Sequence, residues 1–285
     1  MLIEEYKRSL KMPEAEEVFD LIFYRPLGFL FVKLIYRSPI TPNQVTILSM
    51  AAGLASAWYL SAGTSASLLW AGYLYAMANI LDCSDGQLAR LQNSGTPLGR
   101  LVDGVADYIS SVAIFLGIGF GLAGNGNGMW RLVIAAGVSS ALHAMMFDQY
   151  QNEFISTVRG EKNFLDKEIE RFENEIRGRK DEHRRGLMYV VLNLYLSYLN
   201  IQKQSNTKRE RRYVDPELYR ASNLLMIRLW SFLGPTTNRT ILIISALFGR
   251  VDAFLWMIVI PGNLWLAYCY LIQKRIHKRL ERPLQ

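Results

Sequence analysis

The chain has 285 residues, of which 51% are apolar and 20% are charged, and it carries a formal net charge of +7. A basic balance of this size fits an anionic membrane surface as well as nucleic acid, so the distribution of the charges has to decide. The two cysteines, Cys83 and Cys269, lie in or beside apolar segments and exclude a disulfide framework.

The amino terminus carries charges where a secretory signal has its apolar core, so residues 1–17 are predicted to be retained. Large apolar residues interspersed with three basic ones follow, which predicts an interfacial amphipathic helix along the cytoplasmic leaflet, interrupted at Pro26. A short membrane-buried segment is the alternative for this stretch. Thr41 followed by Pro42 predicts the N-cap and the first residue of the first spanning helix.

Six apolar stretches follow, and a helix needs about 20 residues to cross a hydrocarbon core of about 30 Å. The third and the sixth are long enough alone, and the others need their flanking residues. The predicted fold is therefore all-α: a polytopic membrane bundle of about six transmembrane helices, with an N-terminal interfacial helix and a cytoplasmic helical insert. The apolar stretches are 45–60, 67–81, 106–122, 132–147, 240–248 and 251–272.

The alternation of apolar and charged regions divides the chain into five predicted parts. Acidic and basic residues interleave after the fourth stretch at helical spacing, which predicts a solvated helix, and Leu187–Leu199 predicts a further helix packed on the protein or membrane face. The parts are the N-terminus with the interfacial helix (1–40), transmembrane helices 1–4 with the catalytic motif (41–147), the charged insert (148–222), transmembrane helices 5–6 (223–273) and a basic tail (274–285).

Lysine and arginine are absent from the loops 61–65 and 124–128 and cluster at the opposite ends of the spans. This pattern predicts that both termini are cytoplasmic. It also assigns the positive charge to the membrane surface, so no nucleic-acid partner is expected. Arg250, near a third outer turn, is an exception, and Asp252 is expected to pair with it.

The segment that joins the second and third spans carries two pairs of aspartates. Asp82 and Asp85 are three residues apart and Asp103 and Asp107 are four apart, so each pair shares a face if the segment is helical. Carboxylates crowded at a membrane boundary are costly and need a neutralising partner. Mg²⁺ or Mn²⁺ favours carboxylate oxygens together with substrate phosphates, so the pattern predicts a two-metal site that acts on a diphosphate.

Small residues and one arginine accompany these carboxylates. Gly86, Ala89 and Gly99 leave room for a flat ring or a phosphate, and Arg90 is a candidate phosphate clamp. A single aspartate would be explained by capping or by solvent exposure, whereas four at helical spacing favour a site. A divalent-cation transporter is the rival class, because intramembrane carboxylates also mark ion pathways. The third span carries no charged residue after Asp107, which favours a site at one face over a pore.

The same segment resembles the signature of the CDP-alcohol phosphotransferases, D-x-x-D-G-x-x-A-R followed after eight residues by G-x-x-x-D-x-x-x-D, at every fixed position. The resemblance implies transfer of a phosphoalcohol group from a CDP-alcohol donor to an alcohol acceptor with release of CMP. It also implies about six membrane helices, a cytoplasmic site and usually a homodimer. The implied roles are metal ligands at Asp82, Asp85, Asp103 and Asp107, catalytic residues at Asp103 and Asp107 with the latter as the base, and a CDP pocket at Gly86, Ala89, Arg90, Gly99, Asn43 and Thr46.

The acceptor and the substrates are less constrained. Arg239, His143 and Asp148 are candidate acceptor-binding residues, although interhelical or snorkelling contacts explain each of them equally well. A lipid donor such as CDP-diacylglycerol is the first expectation, which implies phospholipid biosynthesis with membrane lipids as partners. The alternative is the same chemistry on soluble substrates of the CDP-inositol and inositol phosphate type.

Overall fold

The computed structural model describes residues 2–123, 128–160, 169–170, 173–174, 196 and 215–280, and the regular elements in these ranges are helical. The predicted all-α class is confirmed. The predicted helix at Leu187–Leu199 and most of the predicted insert lie outside these ranges. The helices are α1 (Leu2–Ser9), α2 (Arg25–Ile35), α3 (Pro42–Ala62), α4 (Ser65–Gln92), α5 (Pro97–Gly121), α6 (Gly128–Val158), α7 (Pro216–Trp230), α8 (Pro235–Leu247), α9 (Val251–Met257) and α10 (Asn263–Leu280).

Within the described ranges, four helical stretches are long and apolar enough to cross a membrane, and they make this an integral membrane protein. Two of the six predicted spans do not reach that standard. Helix α4 has 28 residues but mixes Tyr73, Tyr75 and Asn79 into its apolar run. Helix α8 has only 13 residues, fewer than the roughly 20 that a crossing needs, and packs along α4. The four stretches are Pro42–Ala62, Gly99–Gly121, Met129–Val158 and Val251–Leu280.

Helix α6 continues to Val158, beyond Phe147 where the sequence predicts the insert to begin. The extension is helical because it places Tyr150, Phe154 and Ile155 in a buried cluster with residues of α7 and α10. The ring of Tyr150 stacks on Trp230 of α7 with a centroid distance of 4.3 Å. The last turns of this span are therefore held by packing as well as by local propensity.

A short connection between α4 and α5 determines where the aspartate pairs lie. Asn93 adopts a left-handed conformation (φ 51°) and ends α4, and the Thr96 hydroxyl accepts a hydrogen bond from the Gly99 amide at 2.9 Å and starts α5. Thr41 caps α3 in the same way, as predicted, and α3 packs against both α4 and α5. The end of α4 is consequently beside the start of α5 on the surface of α3.

Close contact between α3 and α5 depends on glycine, because small residues let membrane helices approach each other closely. A Cβ atom at Gly117 would lie 2.3 Å from the Ala57 carbonyl oxygen, and one at Gly121 would lie 2.2 Å from the Leu60 carbonyl oxygen. Both obstacles are backbone atoms, which cannot move aside as a flexible side chain can. The two helices therefore approach each other along a glycine surface.

Replacing Gly117 with alanine is expected to lower the free energy of unfolding by about 1–3 kcal/mol, because α5 must move away from α3. Gly104→Ala in the same helix is the matched control, since no heavy atom lies within 4 Å of a Cβ at that position. That control is expected to gain up to about 1 kcal/mol from helix propensity. Thermal unfolding in detergent measures both, and equal midpoints for the two variants would contradict the packing described here.

The amino-terminal segment, defined here as residues 9–25, links α1 to α2 and contacts α4 and the start of α8. It ends in a π-helical turn (Asp20–Tyr24) that leads into α2, with Pro26 in the first turn of that helix. Helix α2 buries Phe29 and Val32 and exposes Leu34 by 84%. An apolar face directed away from the protein suits contact with lipid, and the interfacial position of this helix stays a prediction.

Candidate metal and substrate site

Three carboxylates meet where α4 and α5 adjoin. Asp82 and Asp85 lie one turn apart on α4, Asp103 lies in the second turn of α5, and one carboxylate oxygen from each is within 4.8 Å of the others. Asp103 Oδ1 is buried and has no hydrogen-bond partner among the described residues. Three hard oxygen ligands with one oxygen unsatisfied fit a divalent cation of the Mg²⁺ or Mn²⁺ type.

The fourth aspartate of the pattern is joined to the other three by a guanidinium group. Asp107 Oδ1 accepts a hydrogen bond from Arg239 Nη2 at 2.6 Å, and Arg239 Nη1 donates to Asp82 Oδ2 at 2.8 Å and to Asn79 Oδ1 at 3.0 Å. The Arg239 side chain is 11% exposed, whereas that of Asp107 is 41% exposed. Arg239 is therefore a cation at the floor of the site, and Asp107 is its more accessible carboxylate.

The first turns of α3 contribute two polar side chains, at positions that the sequence also predicts. The Thr46 hydroxyl donates to Asp85 Oδ2, and both groups are buried. Asn43 faces the start of α5, where a Cβ at Gly99 would lie 3.2 Å from Asn43 Oδ1. Both residues thus border the carboxylates, and their proposed contact with a nucleotide stays a prediction.

Arg90 lies beside Gly86, and its guanidinium is anchored to the amino-terminal segment. A Cβ at Gly86 would lie 3.3 Å from Arg90 Nη2, and Ala89 is half-buried on the same stretch of α4. Arg90 Nε donates to the carbonyl oxygen of Ser9, whereas the buried Nη2 has no partner among the described residues. One nitrogen atom of this side chain is therefore anchored and another has no described partner, and the contact of Arg90 with a phosphate stays a prediction.

The other two candidate acceptor residues have their contacts elsewhere. His143 is fully buried in α6, and its Nε2 lies 3.1 Å from Asn263 Oδ1 in α10. Asp148 is half-buried in α6. The contacts described for these two residues do not include the carboxylate cluster, and their acceptor role stays a prediction.

Sequence reasoning missed several residues that complete the site. Asn79 precedes Asp82 by three residues and so shares its helical face, a signal that the spacing carried. The Ser9 hydroxyl accepts from the Gln87 amide at 3.2 Å, and the carboxylate of Glu17 caps α8. The last two contacts join residues far apart in the chain, and spacing carries no signal for them.

The structure thus combines a bundle of membrane helices with a carboxylate cluster that could hold a metal ion and an arginine that bridges Asp82 and Asp107. Residues 39–162 match the family model described as CDP-alcohol phosphatidyltransferase. This segment contains the aspartate signature, so the match confirms the resemblance identified from that signature.

Curated relatives share parts of this segment. The phosphatidylinositol phosphate synthase of Corynebacterium glutamicum is 36% identical over 83 residues, which cover 29% of this chain and 37% of the relative. That of Mycobacteroides abscessus is 32% identical over 123 residues, covering 43% and 50%. The bifunctional IPC transferase and DIPP synthase of Rubrobacter xylanophilus is 34% identical over 109 residues, covering 38% and 23%. The alignments thus span at most half the length of these relatives.

Proposed function

We propose that this protein transfers a phosphoalcohol group from a CDP-alcohol to a second alcohol and releases CMP. The observation that carries the proposal is the convergence of Asp82, Asp85 and Asp103 within 4.8 Å, inside the segment that matches the family model. The unsatisfied oxygen of Asp103 supports a cation at this point, because a buried carboxylate oxygen without a partner is costly.

The metal would be Mg²⁺ or Mn²⁺, held by Asp82, Asp85 and Asp103, with Asp107 on the side of a second ion. When bound, such ions supply positive charge to the oxygens of the diphosphate. Arg90 Nη2 beside Gly86 is placed to hold a phosphate of the donor, since Arg90 is already anchored through Nε. Thr46 restrains Asp85 through its hydroxyl and so limits the movement of that carboxylate.

Asp107 is the proposed base, because its carboxylate is more exposed than those of Asp82 and Asp85. Its carboxylate takes the proton of the acceptor hydroxyl, and the acceptor oxygen forms a bond to the phosphorus that bears the donor alcohol. The phosphoanhydride bond to the CMP phosphate then breaks, and CMP leaves. Arg239, whose Nη2 lies 2.6 Å from Asp107 Oδ1, orients this carboxylate and offers a positive charge to an anionic acceptor.

A lipid donor of the CDP-diacylglycerol type is the first choice of substrate. The spans next to the site expose apolar side chains to the bilayer, including Tyr108 and Val112 on α5, and acyl chains can lie against them. Two of the curated relatives are named phosphatidylinositol phosphate synthases. The relatives named IPC transferase and DIPP synthase favour soluble substrates of the CDP-inositol and inositol phosphate type as the alternative.

The orientation and the assembly are also part of the proposal. Basic residues in the last turns of α10, among them Lys274 and Arg279, favour a cytoplasmic C-terminus. The aspartates lie at the ends of α4 and α5 away from the loop at 63–64, which supports a site on the same cytoplasmic side. We propose a homodimer, as the family resemblance implies. A divalent-cation transporter is disfavoured because α5 carries no charge beyond Asp107.

Release of CMP by the purified protein in detergent tests the proposal. The assay combines a panel of CDP-alcohols with candidate acceptors, and compares Mg²⁺, Mn²⁺ and EDTA. We expect CMP only with a matched donor and acceptor, and loss of release in EDTA. Asp252→Asn is the matched control, because that carboxylate pairs with Arg250 in an exposed turn. Folded protein that releases no CMP with any donor, yet carries Mn²⁺ into proteoliposomes, would support the transporter.

A further inference from the structure

Glu17 contacts the first turn of α8 from the other end of the chain. Its Oε1 accepts a hydrogen bond from the Thr236 amide at 3.1 Å, and its Oε2 accepts from the Thr237 amide at 2.9 Å and lies 3.2 Å from the Thr237 hydroxyl. Helix α8 has Gly234 at its N-cap position, which has no side chain to cap it. A carboxylate from a remote segment therefore satisfies the free amides of this helix.

The contact leaves no spare room. A Cβ at Gly234 would lie 2.1 Å from Glu17 Cδ, so glycine is required at this position for as long as the carboxylate is there. Glu17 and Thr237 are both buried. Burial and the neighbouring Asp20 carboxylate raise the pKa of Glu17 to about 8. The carboxyl group offers a lone pair on each oxygen in either protonation state, which matches two adjacent backbone amides.

The same segment also holds α8 and α4 at points next to the site. The Tyr24 hydroxyl lies 3.0 Å from the Thr240 hydroxyl, which follows Arg239 directly. Asp20 Oδ1 accepts from the Cys83 thiol at 3.4 Å, next to Asp82. The amino-terminal segment therefore connects the helix that carries Arg239 with the helix that carries its partner Asp82.

We propose that Glu17 is a positioning residue, which holds the first turn of α8 at the depth where the Arg239 guanidinium bridges Asp82 and Asp107. The proposal rests on the function proposed above, in which Asp107 is the base and Arg239 faces the acceptor. The contacts described for Glu17 are with the first turn of α8 and not with the aspartates, so Glu17 acts through α8.

Glu17→Gln tests the proposal, because the amide nitrogen of glutamine has no lone pair and leaves one α8 amide unpaired. We expect kcat/KM for the acceptor to fall by about tenfold, the range that the loss of one buried hydrogen bond gives, while the KM of the CDP-alcohol changes less than twofold. Glu14→Gln is the matched control, since Glu14 pairs with the exposed Arg220. An equal fall in kcat/KM for the donor and for the acceptor would overturn the proposal.

A second pair of variants addresses the contact without relying on turnover. Gly234→Ala is expected to displace the Glu17 carboxylate and so to lower the protection of α8 from hydrogen exchange. The double variant, Gly234→Ala with Glu17→Asp, is expected to recover part of that protection, because the shorter acidic side chain leaves room for the alanine. Hydrogen exchange of the peptide that covers α8 is read in each variant and in Glu14→Gln. Faster exchange in Glu17→Gln and Gly234→Ala, reduced in the double variant, supports the clamp. Exchange equal to that of the unmodified protein would overturn it, whatever the CMP assay shows.

Discussion

Replacing Asp107 with asparagine is expected to lower CMP release by a factor of about 10² to 10⁴, the range typical for loss of a general base. The change keeps the size of the side chain and an oxygen that can accept from Arg239 Nη2, so α5 and α8 should keep their positions. Binding of the CDP-alcohol should persist, because Asp82, Asp85 and Asp103 keep their carboxylates. Single-turnover release of CMP and donor binding, both measured in detergent with Mg²⁺, separate these effects.

Asp252→Asn provides the comparison for this experiment as well. Asp252 lies in the first turn of α9, its described partner is Arg250, and it has no described contact with the cluster. Its variant should release CMP at the rate of the unmodified protein. Turnover of Asp107→Asn at that same rate would show that another group takes the proton.

Replacing Arg239 with alanine is expected to lower the free energy of unfolding by about 3 kcal/mol, because two carboxylates lose their shared cation. Arg239 bonds Asp82 at 2.8 Å and Asp107 at 2.6 Å in a largely buried setting. The loss in unfolding free energy should be smaller when Mg²⁺ or Mn²⁺ is added, because a divalent cation neutralises the same carboxylates. Thermal unfolding with and without the metal measures this difference.

Arg250→Ala is the matched control for Arg239, because it removes an arginine from an exposed pair with Asp252. The control should leave the unfolding midpoint unchanged at either metal concentration. Arg239→Lys should recover only part of the stability, because one ammonium group does not span two carboxylates as a guanidinium fork does. A metal-independent deficit in Arg239→Ala would indicate that the arginine serves packing alone.

The sequence predicted the parts of the site that depend on local spacing. Asp82 and Asp85 share a helical face because they are three residues apart, and the predicted cap at Thr41 determines where α3 begins. Each of these features follows from a few neighbouring residues.

The parts that the sequence could not supply depend on the tertiary arrangement. Glu17 caps Thr236 across 219 positions of the chain, and no periodicity connects a loop with a helix start so far away. The estimate of six spans rested on apolar length, which does not reveal that α8 is a short helix packed along α4. Arg239 was a candidate on position alone, and only the folded chain shows that it bridges Asp82 and Asp107.

The floor of the site lies outside the stretch by which the family is recognised. Ser9, Glu17 and Arg239 all fall beyond residues 39–162, yet they hold Arg90, cap α8 and bridge the aspartates. The recognisable stretch is thus not a transferable module. A chimera that took only that stretch from this chain would inherit the carboxylates without their supports, and functional divergence between relatives should be sought in the flanks as much as in the shared signature.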